Sequence, residues 1–405
     1  MPLTLGITVR RSPRMSTPSP GGEWTAQRRL ERAEALGADR RRFRELIAAL
    51  GSGERSGRAL SRAEAGEALD HLLDGRCTDA QAGAFLIAHR LRRPEPQELA
   101  GMLDSYARRG PRLATSQRRV LSFGVPFDGR SRSAPLLPLV ALLLVAAGAG
   151  VVLHGGDPMP VKYGLTTAEA LAALGLDRRG LPWDAVNRRF AAEGLALLHQ
   201  PAHFPAAERL VPLREQIGKR PPVATLELLW SCHPGPHLQV SGFVHAPTER
   251  LAGEALAATG QDELLLIKGM EGGVELPTNR VAIASHRQGG AAGEAERLIL
   301  RARDHGLGAP EVPLESLAQW RDQAREALAG SGPLRPGLIW NGGFLLWRAG
   351  ISDSLQAGLT LAERLLEDGA VEDRRRQLAD ALAGELALRS GDTPPAGHPP
   401  DPAGC

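Results

Sequence analysis

The strongest constraint on this fold is a stretch of 21 residues, Ser133–Leu153, that contains no charged side chain. As a helix, a stretch of this length would be long enough to span a bilayer. However, Pro135 and Pro138 interrupt its beginning and Gly148 and Gly150 its end, which leaves an unbroken apolar run of only about ten residues. We therefore predict a buried helix followed by a buried strand, with a membrane span as the alternative.

The composition of the chain favours a globular protein, since 42% of its 405 residues are apolar and 23% are charged. The net charge is +3, but residues 1–44 alone contribute +6, so the other 361 residues are slightly acidic at −3. The 16 aromatic residues leave few side chains for the stacking surfaces of single-strand nucleic-acid binders. The three cysteines are far apart and no secretory signal is recognisable, so we expect a cytoplasmic protein without a disulfide framework.

Both ends of the chain have the composition of segments that do not pack. Residues 1–40 are rich in Arg, Ser, Pro and Gly without apolar periodicity, which predicts a disordered basic arm. Residues 389–405 contain five Pro and three Gly, which predicts a disordered tail.

The segment that follows the arm has the signals of a helical domain. Capping-box spacings occur at Ser61–Glu64 and Thr78–Gln81, each ahead of an amphipathic apolar pattern. We assign residues 41–113 to this domain, together with helices from about 166–190.

From residue 114 to 388, short apolar strands alternate with helices, which predicts an α/β domain. A final helix is expected within Ser352–Gly369, where apolar side chains recur on one face. The predicted strands are Val120–Phe123, Gly150–His154, Leu195–His199, Leu238–Val244, Leu264–Lys268 and Arg280–Ser285.

The loop Ser122–Ser133 connects a predicted strand to a predicted helix, which is where α/β proteins hold phosphates. It is not a P-loop, because no Gly-Lys-Ser/Thr follows it. Nor is Gly148-Ala149-Gly150 a dinucleotide-binding motif, because it precedes its strand instead of following one. A simple connecting loop is the alternative interpretation.

The order of these features resembles the anthranilate phosphoribosyltransferase family. The resemblance rests on the capped helices, the glycine and aspartate of the first loop, His154-Gly155 after a strand, and the segment 341–369, NGGFLLWRAGISDSLQAGLTLAERLLEDG. It covers Arg41–Leu388 and implies a fold like that of nucleoside phosphorylases and phosphoribosyltransferases: an α/β fold with an N-terminal all-helical domain and a central, mostly parallel sheet flanked by helices. It also implies a homodimer formed through the helical domain.

In this family a Gly-Thr-Gly-Gly-Asp loop binds the pyrophosphate of phosphoribosyl pyrophosphate through backbone N–H groups. The matching segment here is Gly124–Asp128, in which Pro126 has no N–H and Phe127 places a large side chain where the backbone must approach the ligand. The family's Asn-x-Ser-Thr motif corresponds to residues 134–137, which contain no polar side chain. The resemblance therefore implies an eroded phosphate site.

The resemblance assigns donor or phosphate binding to Gly124, Asp128, Gly129, Arg130, His154 and Gly155. Arg130 and Arg132 could replace lost phosphate ligands by charge. The second family motif, Lys-His-Gly-Asn-Arg-Ser, retains only His154 and Gly155 here, and Asp157 reverses the charge of its arginine. A structural role for His154 and a solvated arginine pair are the alternatives.

The family's Mg²⁺-binding Asp-Glu pair is reduced to Glu275, because Val274 occupies the aspartate position. Mg²⁺ held by one carboxylate depends on substrate phosphates for its remaining ligands, so we expect weakened metal binding. Arg214 matches the arginine that meets the carboxylate of the acceptor. An exposed turn glutamate and a surface salt bridge are the alternatives for these two residues.

A zinc site formed by loop residues is a further alternative, because six His and Cys side chains occur within fifty residues. They are His199, His203, Cys232, His233, His237 and His245.

Two functions follow from the resemblance. The first is a pentosyltransferase that uses phosphoribosyl pyrophosphate or another sugar phosphate, with activity altered or lost through the eroded site. The second is a non-catalytic, nucleic-acid-binding homodimer on the same fold, as in a side lineage of the family. An arginine-rich run at the expected mouth of the donor site supports the second function. Its members are Arg108, Arg109, Arg112, Arg118, Arg119, Arg130 and Arg132.

Overall fold

A computed structural model describes residues 36–53 and 56–390, with isolated positions at 25, 27, 28, 31 and 34. Most of the expected arm, residues 1–40, and nearly all of the expected tail, residues 389–405, lie outside the described residues.

The helical domain begins with four helices, as expected. Ser61 and Thr78 each accept a hydrogen bond from the backbone N–H three residues on, and Glu64 and Gln81 each return one, so both predicted capping boxes are confirmed. The four helices are α1 (Ala38–Gly51), α2 (Arg62–Asp74), α3 (Asp79–Arg92) and α4 (Pro96–Arg109).

The rest of the chain forms a single seven-stranded sheet in the order β3-β2-β1-β4-β5-β6-β7. The first five strands of that order are parallel, and β6 and β7 are added antiparallel. The strands are β1 (Val120–Gly124), β2 (Gly150–Gly155), β3 (Leu195–His199), β4 (Leu238–Phe243), β5 (Glu263–Lys268), β6 (Ala282–Arg287) and β7 (Ala295–Leu300). All six predicted strands are present, and the mostly parallel sheet is confirmed.

Strand β7 was not predicted from the sequence. It lies at the edge of the sheet, and most of its side chains are exposed, including 65% of Ile299. A strand that is solvated on its outer side does not need the continuous apolar run by which buried parallel strands are recognised.

The uncharged stretch of the sequence is a buried helix followed by a buried strand, as predicted. Helix α5 (Leu137–Ala146) is apolar on all sides, and Leu139 to Leu144 are almost completely inaccessible to solvent. The helix leads through Gly148 into β2. No helix in the described part of the chain is long and apolar enough to cross a membrane.

Further helices surround the sheet. They are α6 (Thr167–Ala173), α7 (Trp183–Glu193), α8 (Gln200–His203), α9 (Pro205–Glu208), α10 (Val211–Ile217), α11 (Leu226–Leu229), α12 (Ala246–Ala258), α13 (Leu317–Leu328), α14 (Arg335–Arg348), α15 (Leu355–Glu367) and α16 (Ala370–Ser390).

Each face of the sheet is covered by a different set of helices. Leu121 and Val151 point into an apolar cluster with α5, α6 and the C-terminal helices. Val120 and Val152 point into a second cluster, which contains the apolar side chains of α1 to α4 and α7. Successive residues of a strand face opposite sides, so burial of both faces explains why these strands are almost uniformly apolar. The loops that follow the parallel strands meet at the edge of the sheet formed by their carboxyl ends.

Candidate functional site

The loop between β1 and α5 is built into the carboxyl edge of the sheet. Arg130 forms two backbone hydrogen bonds with Leu165, which follows β2, at 2.9 and 2.7 Å. Gly129 has φ of +76°, and a Cβ there would lie 2.5 Å from the carbonyl oxygen of Gly164. Glycine is therefore required at residue 129 by backbone packing. The side chains of Asp128 and Arg130 are held at this edge almost fully buried.

Arg130 lies between two carboxylates from the loop that follows β5. Its Nη1 donates to Glu275 Oε2 at 2.7 Å, and its Nε lies 3.5 Å from Glu271 Oε1. A third group, Ser133 Oγ, accepts from Nη2. The predicted phosphate ligand is thus satisfied by acidic side chains of its own chain.

Asp128 is the centre of a second group of charges. Its Oδ1 lies 3.3 Å from both Lys162 Nζ and Arg220 Nη2, and its Oδ2 lies 3.7 Å from Arg214 Nη2. Arg214 also donates to Glu227 at 2.5 Å. Burial lowers the pKa of Lys162, although Asp128 acts in the opposite direction.

The two groups are joined through Lys162, whose Nζ lies 3.8 Å from Glu271. Together they form one network of four cations and four carboxylates, which we call the edge network. Its members are Asp128, Arg130, Lys162, Arg214, Arg220, Glu227, Glu271 and Glu275. With equal numbers of each charge, the network is neutral when all eight groups are ionised.

The three glutamates also occupy the backbone N–H groups of the loop. Glu227 accepts from Phe127 N at 2.7 Å, and Glu271 accepts from Ser131 N and Arg132 N, each at 3.1 Å. Glu275 accepts from the two N–H groups at the start of α5, Leu136 N at 3.3 Å and Leu137 N at 3.4 Å. Carboxylates are therefore the anions bound at the strand-to-helix loop and at the N-terminus of α5.

The structure brings together four of the predicted site residues, Asp128, Arg130, Arg214 and Glu275. Glu275 is not an exposed turn glutamate, because its side chain is paired with Arg130 and is only 11% exposed. Arg214 does form salt bridges, as its alternative interpretation expected, but they are buried and not on the surface. At Gly124 the constraint is close backbone packing, because a Cβ there would lie 1.9 Å from the carbonyl oxygen of Leu228.

His154 lies in the sheet and not in the edge network. Its Nδ1 donates to Phe123 O at 3.2 Å, and its Nε2 accepts from Cys232 N at 3.2 Å. Burial lowers its pKa to about 4. Both ring nitrogens have backbone partners, so the ring connects β2 to β1 and to the segment before β4. Neighbouring Gly155 could accommodate a Cβ in ordinary van der Waals contact, since the nearest neighbour of that atom would be 3.7 Å away.

Sequence reasoning missed four members of the edge network, namely Lys162, Arg220, Glu227 and Glu271, as functional residues. One signal was present, because Lys162 is one of only three lysines in the chain. The arginine and the two glutamates carried no comparable signal, since their spacing in the sequence follows no motif.

The edge network does not fit a divalent metal ion as it is folded. The Arg130 guanidinium pairs with both Glu271 and Glu275, and the remaining oxygen of Glu275 faces the start of α5. A cation therefore already lies between Glu271 and Glu275, the latter being the carboxylate that the resemblance implies for Mg²⁺. Among the described residues, no three His, Cys, Asp or Glu side chains are grouped to hold a metal.

The zinc alternative is wrong for the described residues, because no three of these side chains are grouped to hold a metal and the histidines form two separate pairs. His199 is the last residue of β3 and His203 the last residue of α8, and His199 Nε2 lies 3.1 Å from Asp157 Oδ1. His233 and His237 lie before β4, and the Nδ1 of each donates to the carbonyl of Gly235.

An open cavity lies at the opposite edge of the sheet, where the parallel strands begin. It has a volume of about 610 Å³ and is open between α4, the segment before β4, and the end of α12. Its lining includes Leu103, Arg112, Arg119, Trp230, His233 and Glu263.

The arginine-rich run does not form one patch at the donor site, contrary to the sequence-based hypothesis. Arg109 pairs with Asp70 on the helical domain at 2.7 Å. Arg119 pairs with Glu263 at the amino end of β1, whereas Arg130 lies beyond its carboxyl end. Strand β1 separates these positions by roughly 15 Å, because each residue of a strand advances about 3.3 Å.

Comparison with known sequences defines the class of this protein. A profile described as the helical bundle domain of a glycosyl transferase family matches residues 44–110, and one described as the α/β domain of that family matches residues 138–372. Anthranilate phosphoribosyltransferase of Moorella thermoacetica is 31% identical over 322 residues, covering 78% of this chain and 92% of that protein. The same enzyme of Methylobacterium nodulans is 30% identical over 326 residues, with the same coverage. The chain therefore belongs to the glycosyl transferase family of the anthranilate phosphoribosyltransferases.

Solved structures share the fold. Anthranilate phosphoribosyltransferase from Thermus thermophilus superimposes with a TM-score of 0.65 at 23% identity, covering 84% of this chain and 99% of that one. The enzyme from Saccharomyces cerevisiae, in complex with phosphoribosyl pyrophosphate and Mg, gives a TM-score of 0.70 at 14% identity, covering 84% and 98%. The expected phosphoribosyltransferase-like fold is thus confirmed.

Proposed function

We propose that this protein binds a phosphorylated pentose of the phosphoribosyl pyrophosphate class at the carboxyl edge of its sheet, through a donor site too altered for efficient pentosyl transfer. The observation that carries the proposal is the convergence of Arg130, Lys162, Arg214 and Arg220 on one small region. Membership of the family and the complex of the yeast enzyme with phosphoribosyl pyrophosphate support this choice of ligand.

The four cations differ in their access to a ligand. Lys162 and Arg220 are 24% and 30% exposed, whereas Arg130 and Arg214 are 10% and 5% exposed. Lys162 and Arg220 are therefore suited to meet an incoming pyrophosphate first. In a transfer reaction, such cations would stabilise the charge that develops on the departing pyrophosphate.

Two features argue for altered activity. Pro126 offers no N–H group, and Phe127 N is already bonded to Glu227. Arg130 is bonded to Glu275, which the family pattern would reserve for Mg²⁺. We therefore propose that Mg²⁺ binds weakly and only together with phosphate oxygens of the ligand.

Calorimetric titration with phosphoribosyl pyrophosphate, with and without Mg²⁺, tests the proposal. We expect binding in the millimolar range that is weakened at least tenfold by Lys162→Met and by Arg220→Met, because each removes a cation from the site. Arg112→Met is the matched control, since Arg112 is exposed and lies at the opposite edge. Absence of binding at millimolar ligand, or equal losses in all three variants, would contradict the proposal.

The alternative function is a nucleic-acid-binding homodimer with contacts between helical domains. It would depend on exposed arginines such as Arg112 and Arg132, because several others of the run are paired with carboxylates. A labelled oligonucleotide should then be shifted by the protein, with log affinity falling linearly in log salt concentration. Sedimentation would give the oligomeric state.

A further inference from the structure

We propose that the loop Gly269–Leu276, which follows β5, inhibits the site from within, because its carboxylates occupy the positions where phosphate oxygens would bind. We call this segment the acidic loop. In this view Glu271 and Glu275 must leave before an anion enters. The inference rests on the proposed function for the identity of the anion, but the closed loop itself can be tested without a sugar phosphate.

The first argument is the identity of the groups that the acidic loop occupies. Glu271 takes the N–H groups of Ser131 and Arg132, and its Oε2 also accepts from Ser131 Oγ at 2.9 Å. Glu275 takes the first N–H groups of α5 together with the Arg130 guanidinium. Backbone N–H groups at a helix start and an arginine are the usual partners of a bound phosphate.

The second argument is space. Two cavities that touch both Arg130 and Glu275 have volumes of about 30 Å³ each. Sites for small ligands usually enclose roughly 300 to 1,000 Å³. A sugar diphosphate therefore needs a displacement of neighbouring atoms, and the acidic loop is the segment whose departure would also free the anion-binding groups.

The third argument is charge. The edge network has as many carboxylates as cations, so an added pyrophosphate would find no net positive charge in the closed state. Withdrawal of Glu271 and Glu275 would leave four cations facing two carboxylates. The same movement thus creates space and a net positive charge, which is what a polyanionic ligand requires.

The conformation of the acidic loop is suited to a second state. Glu271 has φ of +55°, a left-handed conformation that non-glycine residues adopt at a cost, and its side chain is only 1% exposed. Gly272 next to it has φ of +82°. The buried Glu271 carboxylate is held by its hydrogen bonds to Ser131 and Arg132 and by its ion pairs with Arg130 and Lys162, and these contacts are lost together when the loop departs.

The test compares Glu271→Gln and Glu275→Gln with the wild type and with Glu311→Gln. Glu311 is the matched control, because it lines a cavity with Arg130 and Glu275 but makes no hydrogen bond to Arg130 or to the start of α5. Calorimetry with inorganic pyrophosphate, in the absence of metal, should show affinity raised roughly tenfold or more in both loop variants and unchanged in the control, because a neutral amide binds cationic and N–H groups less strongly than a carboxylate.

Amide hydrogen exchange supplies a readout without any ligand. Exchange at Ser131 and Arg132 should accelerate in Glu271→Gln, and exchange at Leu136 and Leu137 in Glu275→Gln, because these N–H groups lose a charged acceptor. Thermal unfolding of each variant verifies that it is folded, and either single variant suffices for the test.

Two results would overturn the inference. Unchanged amide exchange in both variants would show that the carboxylates do not hold the loop closed. A lower pyrophosphate affinity in Glu275→Gln would show that this carboxylate assists binding. If exchange accelerates but neither the wild type nor the variants bind phosphoribosyl pyrophosphate, the proposed function is wrong and the closed loop stands. If all bind it equally, the proposed function stands and the inhibition is wrong.

Discussion

The two edges of the parallel sheet in this protein differ in the number of charged side chains and in the volume of their cavities. At the carboxyl edge, eight charged side chains are packed around cavities of about 30 Å³. At the amino edge, a cavity of about 610 Å³ is lined by a mixture of apolar, histidine and charged groups. Volume alone would direct attention to the amino edge. The phosphate site that we propose lies instead at the carboxyl edge, where open α/β sheets usually bind their ligands.

The difference shows that a binding edge can be hidden by its own side chains. Cations that would bind an anion are costly to bury alone, so in the absence of ligand they need internal carboxylates. The amino edge has fewer buried charges to neutralise and can remain open. Three perturbations test how different the two edges are, from the largest expected effect to the smallest.

Removal of an arginine from each edge should give the largest difference in the free energy of unfolding. Arg214→Ala leaves Glu227 and Asp128 with fewer partners in a site where they are 9% and 2% exposed. We expect a loss of about 3 to 5 kcal/mol in the free energy of unfolding, as for other broken buried pairs. Arg112→Ala at the amino edge should change it by about 0.5 kcal/mol or less. Urea unfolding measures both, and similar losses would contradict the proposed contrast.

Addition of one methyl group should test packing at the carboxyl edge. In Gly124→Ala the new Cβ would lie 1.9 Å from Leu228 O, so we expect a loss of about 3 kcal/mol from overpacking. Gly155→Ala is the control, because its nearest neighbour is 3.7 Å away, and it should change stability by less than about 1 kcal/mol. Thermal unfolding of the two variants gives the comparison. An Ala at residue 124 that is tolerated as well as one at 155 would show that the β1 terminus can move away from Leu228.

The pH dependence of stability should reveal one buried histidine at each edge of the sheet, His154 at the carboxyl edge and His233 at the amino edge. Burial lowers the pKa of His154 and of His233 to about 4, below the usual 6.5. Each therefore stabilises the fold above pH 6.5, and this contribution falls as the pH decreases toward 4, because the unfolded chain binds the proton first. For His154 the loss should reach about 2 kcal/mol by pH 5.

The measurement is urea unfolding at pH 7 and pH 5 for the wild type, His154→Gln and His233→Gln. The decrease between the two pH values should shrink to a similar extent in both variants, because burial lowers the pKa of both histidines to about 4. Equal decreases in the wild type and His154→Gln would mean that His154 does not carry this pH dependence.

Prediction from the sequence succeeded where the signals were local. The capping boxes at Ser61 and Thr78 bind backbone N–H groups within one helical turn, so four consecutive residues are enough to recognise them. The helix before β2 is apolar on all sides, so its burial follows from its composition. The motif comparison also singled out Asp128 and Arg130, whose side chains lie in the edge network. It did not predict their partners, since Lys162 and Glu271 come from loops after other strands.

His154 illustrates the limit of motif comparison. Its position after β2 matches a family motif, but the partners of its ring are backbone groups of residues 123 and 232. Residue 232 is separated from it by 78 positions, so no local pattern could reveal that both ring nitrogens are used within the structure. The motif therefore located the residue correctly and left its role open.

The sequence by itself determined the helical domain, six of the seven strands and the buried helix α5, because capping and apolar periodicity act between near neighbours. Only the tertiary structure decided that the cations of the edge network are paired with Glu227, Glu271 and Glu275. The physical reason is that the energy of a charge pair depends on its distance and burial. For Arg130 and Glu275, 145 residues apart, both are set by the folded chain alone.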